Sequence, residues 1–182
     1  MGKAHTKIGI PGHVAVILDG NRRFAKKLML KPWMGHEWGR KKVEALIQWC
    51  IELGIGEVSL YAFSVENFNR PRREFDYIMR LFREAFSKLK GDARFQEEGK
   101  KKGIKVRFLG RIWMFPKDIH AIMKELEDET KGNSGLIVNF CMAYGGRQEI
   151  TDAAKKMAAD VEKGLISAKD INDDTLKRYL YM

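Results

Sequence analysis

Four short runs of apolar and β-branched residues recur along the chain, separated by segments with helical spacing, and few folds accommodate that alternation. The runs are His13 to Leu18 (HVAVIL), Glu57 to Phe63 (EVSLYAF), Ile104 to Leu109 (IKVRFL) and Leu136 to Ala143 (LIVNFCMA). Their near-continuous apolar character predicts strands covered on both faces. Between them, one helix is predicted from about Trp38 to Leu53, with Val43, Leu46, Ile47, Cys50 and Ile51 on one face and Gly54 as its stop. A second begins after Pro71, where Phe75, Ile78, Met79, Phe82, Phe86 and Leu89 recur at spacings of three and four. Others are predicted over Pro116 to Thr130 and Arg147 to Lys163, with a short last one after Asn172. Strands alternating with helices require right-handed crossovers, and hence a mostly parallel sheet. In 182 residues with no internal repeat or linker, the prediction is a single α/β domain, its central sheet flanked by helices.

Composition narrows the function. Mean hydropathy is −0.38, and no apolar run approaches the roughly 18 residues of a transmembrane helix. The N-terminus lacks the apolar core of a signal peptide. The expected location is therefore cytoplasmic, with at most a peripheral contact at a membrane surface. Residues Met1 to Thr6 (MGKAHT) make a short and weak match to an N-myristoylation pattern. Cys50 and Cys141 lie in apolar runs and read as buried thiols in a reducing compartment, neither a disulfide nor a metal site. Lysine and arginine total 34 against 24 acidic residues, a formal charge of +10. So basic a chain wants an anionic partner: nucleic acid, an acidic membrane surface or a phosphorylated small molecule.

The segment from Ile17 to Ala25 (ILDGNRRFA) is the first place where chemistry is expected. Ligands of parallel sheets bind beyond the carboxyl ends of strands, and Asp19 falls at such an end. Gly20 permits a tight turn, and Asn21 is placed to cap a helix whose free N–H groups face the same mouth. Arg22 and Arg23 are donors matched to phosphate oxygens. A carboxylate beside such donors makes sense if Mg²⁺ bridges them, since that ion takes one or two carboxylates with phosphate oxygens and water. A plain strand-to-helix turn capped by Asp19 is the competing reading. A second polar cluster, Ser64-Val65-Glu66-Asn67-Phe68-Asn69-Arg70, follows the second strand, and Gly35-His36-Glu37 lies between the two. Each has a bland counterpart, a solvated loop for the first and a surface or capping histidine for the second.

Other chemistries fail on specific residues. There is no Gly-Lys-Ser/Thr phosphate loop and no dinucleotide fingerprint, and Cys and His never approach zinc-ligand spacing. Phosphatases with a strand-end aspartate nucleophile expect a second Asp where this chain has Asn21. The Asp-rich helical motifs of trans-type prenyl synthases are absent.

Taken together, HVAVILDGNRRFAKK, GHEWG, LYAFSVENFNRP and NFCMAYGGRQEI resemble the cis-prenyltransferases, the undecaprenyl and dehydrodolichyl diphosphate synthase group. The form GNRRF and the ending VENFNRP are closer to archaeal and eukaryotic members. The resemblance runs from about His13 to Met182. It implies a Mg²⁺-dependent enzyme that condenses isopentenyl diphosphate onto an allylic diphosphate, farnesyl or geranylgeranyl, to build a long polyprenyl diphosphate for glycosyl carrier lipids. In that reading Asp19 holds the metal and assists departure of diphosphate. Gly20, Asn21, Arg22 and Arg23 cradle the diphosphate, with Phe24 and His36 nearby. Ser64, Val65, Glu66 and Arg70 help place the substrates, and Phe68 packs beside them. Asn67 occupies the position credited with accepting the proton; because an amide is a poor base, it is read as orienting isopentenyl diphosphate while diphosphate or water takes the proton. The stripe Phe75, Ile78, Met79, Phe82 and Phe86 is read as tunnel lining or, equally, as core packing.

The resemblance also implies a homodimer. It departs at Pro32, with Lys31 beside it, where bacterial members often carry an arginine four residues before the histidine. Family members continue into a segment with two Arg, a Ser and a Glu that binds isopentenyl diphosphate; by that measure the domain over 1–182 is expected to be incomplete at its C-terminus. Two alternatives stay open: a non-catalytic partner subunit, which would not need Asp19, Asn21, Arg23 and Arg70, and a basic nucleic-acid-binding protein. The favoured reading involves no nucleic acid.

Overall fold

The computed structural model describes residues 9–91 and 103–181. Its elements, in order, are β1 (His13–Ile17), α1 (Asn21–Lys27), α2 (Gly35–Glu52), β2 (Glu57–Ser64), α3 (Arg72–Lys90), β3 (Lys105–Leu109), α4 (Lys117–Thr130), β4 (Ile137–Tyr144), α5 (Gly146–Glu162) and α6 (Asp173–Tyr179). Short 3-10 turns fall at Pro32–Met34, Val65–Asn69, Ile112–Met114 and Ala168–Asp170. The four strands form one sheet in the order β1-β2-β4-β3, every pairing parallel. The predicted strands agree with those observed to within a residue at either end. The MGKAHT pattern lies outside the described residues.

The sheet is buried at its centre and open at one edge. Val58 and Leu60 of β2 and Val138 and Met142 of β4 are fully buried. They pack with Ile47 and Cys50 of α2, Ile78, Met79 and Phe86 of α3, and Ile119, Met123 and Leu126 of α4. Phenylalanines tie the layers together: Phe86 meets Phe108 edge-on with centroids 5.0 Å apart, and Phe63 meets Phe68 the same way at 5.1 Å. Such rings bury large area and add a geometric preference. β1 departs from expectation. As an edge strand its residues alternate between exposed and half-buried, and Ile17 is 74% exposed.

α2 begins at Gly35, three residues before the predicted start, and Gly54 at φ +70 ends it, its N–H bonded to the carbonyl of Ile51. Ile51 does not share the buried face; it is 41% exposed. At 100° per residue it lies about 90° from the centre of the stripe made by Val43, Leu46, Ile47 and Cys50. Both cysteines are buried free thiols as expected. Burial raises both, and the thiol of Cys141 is pushed up to about 11.

The other edge, β3, is closed by side chains. The Val106 N–H donates to Thr130 Oγ1 at 3.1 Å and the Phe108 N–H to Glu127 Oε1 at 2.6 Å, both acceptors from α4. These groups point away from β4 and would otherwise be stranded at the sheet edge. Burial raises the Glu127 carboxyl above its ordinary value, opposed by the Phe108 N–H. Glu127→Gln keeps the acceptor and removes the charge, so its melting temperature at neutral pH should match or exceed that of the parent. Glu127→Leu leaves the amide unmatched and should cost about 1–3 kcal/mol in denaturant unfolding. Equal losses in both variants would show that the acceptor is not what matters.

Candidate active site

The pairing of β1 with β2 decides where the polar clusters meet. Ile17 lies opposite Tyr61, and the N–H of Leu18 extends the ladder to the Tyr61 carbonyl at 3.2 Å. Both strands thus deliver their following turns to the same edge of the sheet, side by side. After β1, Gly20 adopts φ +91, a conformation strained for any side chain, and the chain turns directly into α1. The helix N-cap is Gly20 and carries no side-chain cap, so the capping role predicted for Asn21 is not observed. Asn21 is instead the first helical residue and packs on α2. A Cβ at Gly35 would stand 2.0 Å from the Asn21 carbonyl oxygen, and one at Gly39 would stand 2.6 Å from Asn21 Oδ1. Two glycines one turn apart let the helices approach and bring His36, between them, to the mouth.

After β2 the chain closes a 3-10 turn in which Asn67 Oδ1 accepts the Ser64 N–H at 3.1 Å. Arg70 and Pro71 then lead into α3. In the first turn of α3 lies a residue the sequence reading passed over. Glu74 is 2% exposed, and its Oε1 accepts from Arg70 Nη1 while lying 3.5 Å from His36 Nε2 and 3.7 Å from Arg22 Nε. One buried carboxylate therefore gathers three nitrogen groups from three elements, which offsets the cost of burying its charge. The spacing Arg70-x-x-x-Glu74, an i,i+4 pair across a helix start, was the available signal. Burial holds His36 below its ordinary value; the bond to Glu74 opposes that, and the charges of Arg70 and Arg22 reinforce it. At the rim, Asp19 Oδ2 accepts from Arg23 Nη2 at 2.8 Å and Asp19 Oδ1 from the Gly20 N–H at 2.5 Å.

Two cavities meet here. A polar one of about 410 Å³ is lined by Leu18, Asp19, Gly20, Asn21, Arg22, Arg23, Lys26, Pro32, His36 and Arg70. An apolar one of about 310 Å³ runs between α2 and α3 over the end of β2, walled by Val43, Ile47, Ala62, Phe63, Ile78, Leu81, Phe82, Ala85, Phe86 and Leu89 among others. Leu18, Asp19, Asn21, His36 and Arg70 line both. Ser64 and Asn67 also line the apolar cavity near its polar end. Phe24, Val65, Glu66 and Phe68 line neither; Phe24 meets Trp38 edge-on at 6.0 Å, and Phe68 packs among Phe63, Phe75 and Phe115. The helical stripe divides: Ile78, Phe82 and Phe86 face the cavity, while Phe75 and Met79 do not line it. Lys26 supplies a cation close to Pro32, the position at which the sequence departs from the bacterial pattern.

The donor set bears on a metal. Among the described residues no three His, Cys, Asp or Glu side chains gather to hold an ion. Asp19 offers a single carboxylate in a cavity that Arg22, Arg23 and Lys26 also line, a donor set that would suit Mg²⁺ held largely through phosphate oxygens and water. Across the mouth, the segment after β4 is braced: Arg111 makes a two-pronged pair with Asp152 at 2.7 and 2.8 Å, and Tyr144 donates to Glu149 Oε2 at 2.5 Å. The Arg111 guanidinium holds the Asp152 carboxyl down at about 2.

Comparison with known proteins agrees with this geometry. A tritrans,polycis-undecaprenyl-diphosphate synthase (geranylgeranyl-diphosphate specific) of Pyrococcus horikoshii is 44% identical over 173 residues, 95% of this chain and 64% of that protein. The human dehydrodolichyl diphosphate synthase complex subunit is 40% identical over 172 residues, 94% of this chain and 51% of that protein. This chain thus spans less than two thirds of the length of these curated relatives. Among solved structures, lavandulyl diphosphate synthase from Lavandula x intermedia in complex with dimethylallyl diphosphate superimposes with a TM-score of 0.84 at 30% identity, covering 93% of this chain and 70% of that one. The sequence model of the undecaprenyl diphosphate synthase family matches residues 17–182, and the chain belongs to that family.

Proposed function

We propose that this chain carries the allylic-diphosphate site of a Mg²⁺-dependent cis-prenyltransferase, which condenses isopentenyl diphosphate onto an allylic diphosphate to build a long polyprenyl diphosphate for glycosyl carrier lipids. The observation that carries the reading is the junction of a cation-lined polar cavity with an apolar one through Leu18, Asp19, Asn21, His36 and Arg70. A ligand filling both must be anionic at one end and hydrocarbon at the other. The naming of a relative for geranylgeranyl diphosphate, and the dimethylallyl diphosphate held by the lavandulyl enzyme, support an allylic diphosphate.

The residues divide the work. Arg22, Arg23 and Lys26 face the polar cavity and would hold the diphosphate as the allylic carbon–oxygen bond breaks and the electron pair leaves with it; donors already in place at developing charge are the largest common source of rate. Mg²⁺ on Asp19 would add further neutralisation of that charge. Glu74 keeps Arg70 and His36 in position, and burial disfavours the protonated form of His36. Asn67, fixed by its bond to Ser64, would orient isopentenyl diphosphate, whose alkene carbon forms the new carbon–carbon bond while a proton passes to diphosphate or water. The apolar cavity would receive the growing chain. A homodimer and a peripheral contact with acidic lipid complete the reading, the latter in keeping with a charge of +10.

Labelled isopentenyl diphosphate, geranylgeranyl diphosphate and Mg²⁺ should give a ladder of longer products, reduced about a hundredfold or more in Asp19→Ala. Binding of a non-hydrolysable thiolodiphosphate analogue should weaken in Arg23→Ala. Absence of both product and analogue binding would sink the proposal. Ala85→Phe, which fills the apolar cavity, should shift products toward shorter chains without abolishing primer binding; an unchanged ladder would place the growing chain elsewhere.

His36 supplies a prediction of its own. The unfolded chain protonates it near the ordinary 6.5, whereas the folded chain resists to a lower pH. Between the two the unfolded state holds more protons, so the stability His36 contributes is complete above 6.5 and is lost as pH falls through its folded value. In His36→Gln the decline of melting temperature from about pH 7 to about pH 5 should be shallower. Parallel curves for parent and variant would show that His36 contributes nothing to that decline.

A further inference from the structure

Around α1 and the turn after it, large apolar side chains face solvent amid a concentration of cations. Met29 is 95% exposed, Trp38 49%, Leu28 45% and Phe24 42%. Met29 sits at φ +55, a left-handed conformation methionine rarely adopts. The N–H of Leu30 returns to the Ala25 carbonyl at 3.0 Å, so Leu28 and Met29 stand on a closed turn and not on a loose loop. From residue 20 to residue 42 there are eight lysines and arginines and one acidic residue, Glu37. Two of the lysines lie over indole faces, Lys31 5.7 Å from the Trp33 centroid and Lys41 5.4 Å from that of Trp38. Aromatic and aliphatic groups ringed by lysine are the make-up of an interfacial surface.

We infer that this face docks the protein peripherally on an anionic lipid bilayer, with Leu28 and Met29 entering the boundary between headgroups and acyl chains and Lys27, Lys31 and Lys41 resting on lipid phosphates. The inference deepens the proposed function, since a polyprenyl product belongs in a bilayer, and it commits to a surface that the activity alone does not specify. Charge selects the occupant. A second copy meeting the same patch about a twofold axis would set like charges against one another. A nucleic acid would satisfy the lysines but gain nothing from Met29 and Leu28. A bilayer rich in acidic lipid meets both requirements. Among the described residues no helix is long and apolar enough to cross a membrane, so the contact is one of surface. Lys26 belongs both to this segment and to the polar cavity, which places the mouth of the site beside the membrane.

Flotation of the protein with vesicles, without substrate, tests this separately from catalysis. Binding is expected to phosphatidylglycerol-rich vesicles and not to pure phosphatidylcholine, and it should fall with salt. Removing one of Lys27, Lys31 or Lys41 should weaken partition about fivefold, and Leu28→Ser with Met29→Ser about tenfold or more. Leu165→Ser, at an exposed apolar residue after α5, should bind like the parent, and Asp19→Ala should float normally even if inactive. No flotation, equal binding to neutral vesicles, or full binding by the Leu28→Ser, Met29→Ser variant would overturn the inference. So would a lipid-free dimer that this double variant converts to monomer, because the patch would then be a subunit interface.

Discussion

The parallel pairing of β1 with β2 is the constraint from which the rest of this molecule follows. Because Ile17 stands opposite Tyr61, the turn that carries Asp19 and the turn that carries Ser64 and Asn67 emerge together. A shift of one residue would turn every side chain of β1 to the other face of the sheet. It would also separate Arg22 from Glu74, and with them the two halves of the polar cavity. At β3 the outward amides find acceptors on α4.

Glu74 gives the site its internal order. A buried carboxylate is tolerable only with donors and cations around it, and here those groups also line the polar cavity. Arg70 is held from the start of the same helix, His36 from α2 and Arg22 from α1. The glycine at 35 makes this possible, since a side chain there would meet the Asn21 backbone, push α2 off α1 and carry His36 away. Close helix packing and the lining of the polar cavity are thus the same requirement at this position. The outer pair of Asp19 and Arg23 is different in kind, solvent-exposed and free to exchange partners when an anion arrives.

How much of this was legible beforehand can be judged residue by residue. The strands were readable because near-continuous apolar runs of that kind are too short for buried helices and too apolar for solvated loops. Asp19, Arg22, Arg23, His36, Asn67 and Arg70 were readable as polar residues at predicted strand ends and by their resemblance to a family pattern. Phe68 stands in the same motif yet packs into the aromatic core, and sequence adjacency does not say which way a ring will face. Ile51 continued an apolar pattern beyond the arc that the sheet covers. Asn21 had the composition of a cap, but a left-handed glycine ahead of it took the position.

The sequence by itself determined the order of elements, the parallel sense of the sheet and the ends of the strands where ligand-binding residues would stand. These rest on local periodicity and on the handedness of crossovers, both of which a single chain records directly. The tertiary structure alone decided that Glu74 would unite Arg22, His36 and Arg70, that only some members of the α3 stripe would face the apolar cavity, and that this cavity would open into the polar one. Those outcomes depend on how far apart two packed helices come to rest and on the rotation of each about its axis. Neither quantity is written in the spacing of residues along either helix.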